Sequence, residues 1–225
     1  GIPIEGLHTE TGDGVYEAAI TYTDILAAAD QAALFKSSVK EIASLHGYIA
    51  SFMAKWNPIL PGCSGHLHQS LWNEEGDNLF YDENSDHHMS ETMRQYLAGL
   101  LHCLPVLMPI FAPTINSYKR YVEGSWAPTS VSWGVENRTT ALRVINNNAG
   151  SMRIENRVPG ADTNPYLTMA ASLAAGLYGI KNKLNLQTER TVGNEYEKAD
   201  AIKLPNTLDE AVAKMKSSTL AAELL

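Results

Sequence analysis

Arg153, Glu155 and Arg157 place a positive, a negative and a positive charge at alternate positions, with Met152, Ile154 and Val158 as apolar neighbours. In an extended strand successive side chains leave opposite faces, so these three charges share one face. A half-exposed surface strand alternates in the same way, and the pattern alone leaves both readings open. Arg120, Arg138 and Arg143 precede it in separate motif-like settings. Guanidinium groups gathered in a chain of net charge -8 point to an anionic ligand, because their fork matches carboxylates and phosphates.

Two further groups carry chemistry. Glu10 and Glu17 flank Gly12-Asp13-Gly14 and fall on neighbouring strands near one end of a hairpin. Carboxylates that close repel one another unless a cation lies between them, although exposed hairpin acids look the same in sequence. His66 and His68 share a strand face with Ser70, a pattern that serves a metal or phosphate but also occurs as ordinary packing.

The elements that must position these residues are mixed. Strands are predicted over 2–8 and 15–22, with Thr23 or Asp24 capping a helix that runs to about His46 and ends at Gly47. Strands are expected over 48–55 and 66–72, a helix over 91–107, strands over 131–145 and 151–158, and a short helix over 208–216. Asp162 is the expected cap of an alanine-rich helix reaching Asn182. The apolar run from Tyr96 to Pro113 contains His102, Pro105 and Pro109, which suits a buried helix with a broken end better than a membrane span.

Composition narrows the class. With 225 residues, 44% hydrophobic and 19% charged, the chain suits one globular domain. Acidic residues outnumber basic ones 25 to 17, which argues against a nucleic-acid partner. The two cysteines, Cys63 and Cys103, suit free thiols in a reducing, cytoplasmic setting.

Several strings, in order and register, closely resemble the catalytic domain of glutamine synthetases. They are His8-Thr-Glu10 with Glu17, Gly62-Cys-Ser-Gly-His-Leu-His-Gln-Ser70, Asn116-Ser-Tyr-Lys-Arg120, Asn137-Arg138, Ala141-Leu-Arg143, Arg153-Ile-Glu-Asn-Arg157 and Gly160-Ala-Asp-Thr-Asn-Pro-Tyr166. The resemblance implies an α+β fold: a curved, mostly antiparallel sheet, part of a glutamine-synthetase-type barrel, packed with helices. It implies a ligase that phosphorylates the side-chain carboxylate of glutamate with ATP and then lets ammonia or an amine displace the phosphate. By the same resemblance Glu10 and Glu17 hold one Mg2+ or Mn2+, and His66 and Glu155 hold a second. Arg120 and Arg138 serve catalysis. Gly62, Arg120, Arg138 and Arg157 bind glutamate, and His68, Ser70, Arg138, Arg143 and Arg153 serve ATP. The family's stacked rings imply a homo-oligomer for the intact protein.

Two departures qualify the resemblance. Where ammonia-using relatives carry a flap glutamate, this chain has Trp126, in Tyr121-Val-Glu-Gly-Ser-Trp126-Ala-Pro128. An indole cannot take a proton from ammonium, but its face receives an alkyl group or an organic cation, so the reading leans to an organic amine. Glu123 is the candidate substitute acid for the alternative, a true ammonia-using glutamine synthetase, and a non-catalytic structural relative is the other rival. The second departure is length: residues 1–225 are expected to be a catalytic domain without the family's small N-terminal domain and last C-terminal helix, and inert by itself.

Overall fold

The computed structural model describes residues 1–224. The chain opens with β1 (Ile4–Thr9) and β2 (Tyr16–Ile20), an antiparallel hairpin in which His8 pairs with Glu17. Helix α1 (Ile25–Leu45) follows, capped by the Asp24 carboxylate, which accepts the Ala27 amide. Gly47, at φ 76°, turns the chain away from it.

The charged alternation lies in a sheet of four strands ordered β3-β6-β5-β4, made of β3 (Leu67–Gln69), β4 (Trp133–Val135), β5 (Leu142–Ile145) and β6 (Arg153–Asn156). β6 is antiparallel to both neighbours, and β4 runs parallel to β5. The fold is α+β with a mostly antiparallel sheet and, among the described residues, no closed barrel, as expected.

One face of this sheet is packed. Ile154, Leu142 and Val144 are fully buried against α2 (Glu91–Phe111) and α4 (Pro165–Lys181), with Tyr96, Leu97, Leu104, Leu107 and Phe111 in the same core. Three short helices complete the chain: α3 (Ile115–Tyr118), α5 (Leu208–Ser217) and α6 (Thr219–Leu224). No helix among the described residues is long and apolar enough to cross a membrane.

Four expectations from the sequence are corrected. Residues 48–55 form no strand, because the Asn116 side chain takes both backbone groups of Lys55, at 2.9 and 2.8 Å, and Cys63 takes the Ala54 carbonyl. Residues 131–145 form two strands, since Glu136 turns at φ 50° between them. The helix expected to break near Leu107 continues through Pro105 and Pro109 to Phe111, where burial of Met108 and Phe111 outweighs the lost amide donors. Asn164, not Asp162, caps α4 by accepting the amides of Tyr166 and Leu167. Asp162 instead accepts the Ser117 and Thr114 hydroxyls, at 2.6 and 3.2 Å, and so tethers α3.

Helices α2 and α4 meet through glycines. A Cβ on Gly99 would collide with the backbone of Ala175 and Gly179, and one on Gly179 with the Gln95 carbonyl. Gly99→Ala or Gly179→Ala is therefore expected to destabilise the fold by about 1–3 kcal/mol, because backbone atoms must give way. Gly150→Ala, whose Cβ would approach only Asn148 Oδ1 at 3.5 Å, should be near neutral. Denaturant unfolding of the three variants checks this ordering.

Candidate active site

Glu155 is the hub of the sheet's other face. Strand register puts His68 of β3 and Arg143 of β5 directly across from it on either side. Its carboxylate accepts from Arg157 Nη1 at 2.7 Å through Oε1 and from Arg143 Nη1 at 3.1 Å through Oε2. His66 Nδ1 lies 3.0 Å from Oε1 and His68 Nε2 3.9 Å from it. Arg143 also grips Glu136, and Arg153 Nε meets His68 Nδ1 at 3.0 Å. The alternation read from the sequence is thus a one-sided charged floor, with Asn156 and Ile154 turned into the core.

These contacts fix ionisation. Burial alone would raise the Glu155 carboxyl, but the hydrogen bond from His66 and the positive charge of Arg157 outweigh it and hold Glu155 well below the usual carboxylate range. Burial, opposed by Glu155, keeps His66 neutral by lowering its pKa. A neutral imidazole that donates from Nδ1 leaves a lone pair on Nε2, and that atom is buried without a partner. His66 Nδ1 and Glu155 Oε1 converge at 3.0 Å, and a divalent cation held by both would take the place of this hydrogen bond.

The hairpin gathers a second set of candidate cation ligands. His8, Glu10 and Glu17 each offer a ligand atom within 4.8 Å of the others. Burial raises the Glu17 pKa, and the charge and hydrogen bond of Glu10 and the charge of Glu155 raise it further, so the carboxylates crowd one another in the absence of a cation. Both sets therefore fit a divalent metal, and the oxygen-rich hairpin suits Mg2+ or Mn2+. The sequence reading missed His8 as a donor, although the His8-Thr-Glu10 string contained it.

The remaining residues take three positions. Arg120 is buried beneath the floor, bonded to the Val158 carbonyl and to Ser64 Oγ at 3.1 Å. Gly62 lies against it, where a Cβ would come within 2.8 Å of Arg120 Cγ and closer still to the Ala54 carbonyl, so only glycine fits. Ser70 lies just beyond β3 with its hydroxyl accepting Trp72 Nε1 at 2.9 Å. Arg138 lines a cleft of about 430 Å³ with Trp126, Glu136 and Arg190. Trp126 adopts φ 62°, a costly conformation for a bulky side chain, and remains 57% exposed, while its carbonyl accepts Arg157 Nη2 at 3.2 Å. Glu123 is turned to Lys203, 3.3 Å away. Glu136, Arg190 and Tyr196 were missed by sequence reading, because no motif spacing marks them.

For the metal-free protein, burial, partly offset by Glu155, lowers the His68 pKa to about 4. The unfolded chain takes up this proton near 6.5, so the stability this group contributes is present above 6.5 and lost as pH falls toward 4. An NMR titration should find the His68 imidazole neutral at pH about 5.5; a fully protonated ring there contradicts the assignment.

The family model for the glutamine synthetase catalytic domain matches residues 1–225. Type-1 glutamine synthetase 2 of Dictyostelium discoideum is 52% identical over 229 residues, covering 100% of this chain and 44% of that protein. A glutamate–isopropylamine ligase of a Pseudomonas species is 43% identical over 223 residues, covering 98% of this chain and 48% of that protein. The solved GmaS/ADP complex matches with a TM-score of 0.91 at 35% identity, over 100% of this chain and 53% of that one. The chain spans about half the length of the curated relatives it matches. It belongs to the glutamine synthetase catalytic-domain family.

Proposed function

We propose that the full-length protein is an ATP-dependent ligase that joins the side-chain carboxylate of glutamate to an organic amine through γ-glutamyl phosphate. The observation that carries the amine preference is Trp126, held at φ 62° on the cleft that Arg138 lines. The isopropylamine ligase among the relatives supports it.

In this reading Glu10, Glu17 and His8 hold one divalent metal, and His66 and Glu155 hold another. Bound there, Mg2+ or Mn2+ would neutralise phosphate charge on ATP and on the transferring group. Arg157 is fixed by Glu155 and by the Trp126 carbonyl, so one guanidinium couples the metal side of the floor to the flap and faces the glutamate site. Arg138 serves the phosphoryl group and glutamate, as a cation aimed where negative charge develops. Arg120 and Gly62 shape the glutamate-binding floor, while His68, Ser70, Arg143 and Arg153 line the ATP side. The family's ring assembly makes a homo-oligomer the expected state.

A second reading, ammonia as the acceptor, draws on the glutamine synthetase at 52% identity. It requires an acid at the flap, and Glu123 is 63% exposed and ion-paired with Lys203. The organic amine is therefore the better supported acceptor.

Phosphate release by the full-length protein with ATP and glutamate, measured against ammonium, methylamine, ethanolamine and isopropylamine, tests the choice. An organic amine is expected to give the highest kcat/KM, and ammonium as the best acceptor contradicts the proposal. Trp126→Glu should improve ammonium use relative to amines by about tenfold or more, since it restores a base at the acceptor entrance.

A further inference from the structure

The cleft beside Trp126 has two contiguous lobes of different character. One, of about 400 Å³, is lined by Gly124, Trp126, Thr139, Gly193, Asn194 and Tyr196 and is mostly apolar. The other carries the guanidiniums of Arg138 and Arg190, neither of which has an ion-pair partner among the described residues.

Glu136, the carboxylate on the lining of the two lobes, is engaged, and so are three acids close to it. Glu136 is held by Arg143, and Glu123 by Lys203. Glu195 is buried behind the wall, where it accepts the hydroxyls of Ser130 and Thr191 at 2.5 and 2.6 Å. Glu197 accepts Asn194 Nδ2 at 2.9 Å. With Arg138 taken up by the phosphoryl group, a second ammonium on the acceptor would meet the Arg190 guanidinium and no free acid on the cleft lining, and like charges brought together are strongly disfavoured.

The wall is also held in place. Asn137 Nδ2 donates to the carbonyls of Thr191 and Gly193 at 3.3 and 2.8 Å, Trp133 Nε1 donates to Thr188 at 2.7 Å, and Tyr196 donates to the Ala127 carbonyl at 2.8 Å. A segment tied at so many points keeps the shape of the apolar lobe.

We infer that the acceptor is a monoamine with an uncharged, largely apolar substituent seated between Trp126 and Tyr196, and that Arg190 rejects diamines and polyamines. The inference rests on the organic-amine reading above.

The test compares n-butylamine with putrescine, which has the same carbon chain and a second amine, in phosphate release by the full-length protein, with the γ-glutamyl product confirmed by mass spectrometry. Butylamine is expected to exceed putrescine in kcat/KM by about 10- to 100-fold. Arg190→Glu should raise the ratio of putrescine to butylamine kcat/KM by about tenfold. Putrescine used as well as butylamine, or a ratio that Arg190→Glu leaves unmoved, overturns the inference and leaves the ligase reading standing. Turnover of ammonium with neither amine accepted overturns both.

Discussion

The site is organised around one buried carboxylate. Glu155 is 3% exposed, and such a charge is tolerated only with partners on all its lone pairs. Those partners come from separate parts of the chain: Arg143 from β5, His68 from β3, His66 from the segment before β3, and Arg157 just past the end of β6. The strand register that aligns them is therefore inseparable from the charge state they maintain. A slip of one residue in β6 would turn Glu155 into the core and Ile154 onto the charged face.

From this hub the constraints run outward. Arg157 carries the position of Glu155 to the Trp126 carbonyl, linking the floor to the flap. Arg143 carries it to Glu136, at the mouth of the Arg138 cleft. The opposite face of the sheet cannot shift to relieve these contacts, because Ile154 and Leu142 are fully buried against α2 and α4, whose glycines let the helix backbones touch. Dense packing on one face thus gives rigidity to a polar constellation on the other.

Much of this was legible in the sequence, for identifiable reasons. The period-two charge pattern of 153–157 fixed which side chains share a face, and the Gly12-Asp13-Gly14 turn placed Glu10 near Glu17. What escaped were features set by non-local contacts. The strand expected at 48–55 lost its backbone partners to the Asn116 side chain, more than sixty positions away. Asp162 and Asn164 look alike as helix caps until the hydroxyls of Thr114 and Ser117 claim the former. Glu136, Arg190 and Tyr196 acquire meaning only when the 188–197 segment folds back over β4, which no spacing announces. The metal-ligand assignments are proposals drawn from family resemblance, to which the structure adds the approach of His66 Nδ1 to Glu155 Oε1 and the crowding of Glu17 by Glu10.

The claim that Glu155 is a metal ligand kept ionised by its neighbours is tested most directly by anomalous diffraction from crystals of the full-length protein grown with Mn2+. The account predicts one manganese peak within about 2.0–2.3 Å of donor atoms of His66 and Glu155 and another at Glu10 and Glu17. Saturating Mn2+ with no peak at Glu155, and its carboxylate still bonded only to Arg143, Arg157 and His66, would contradict it.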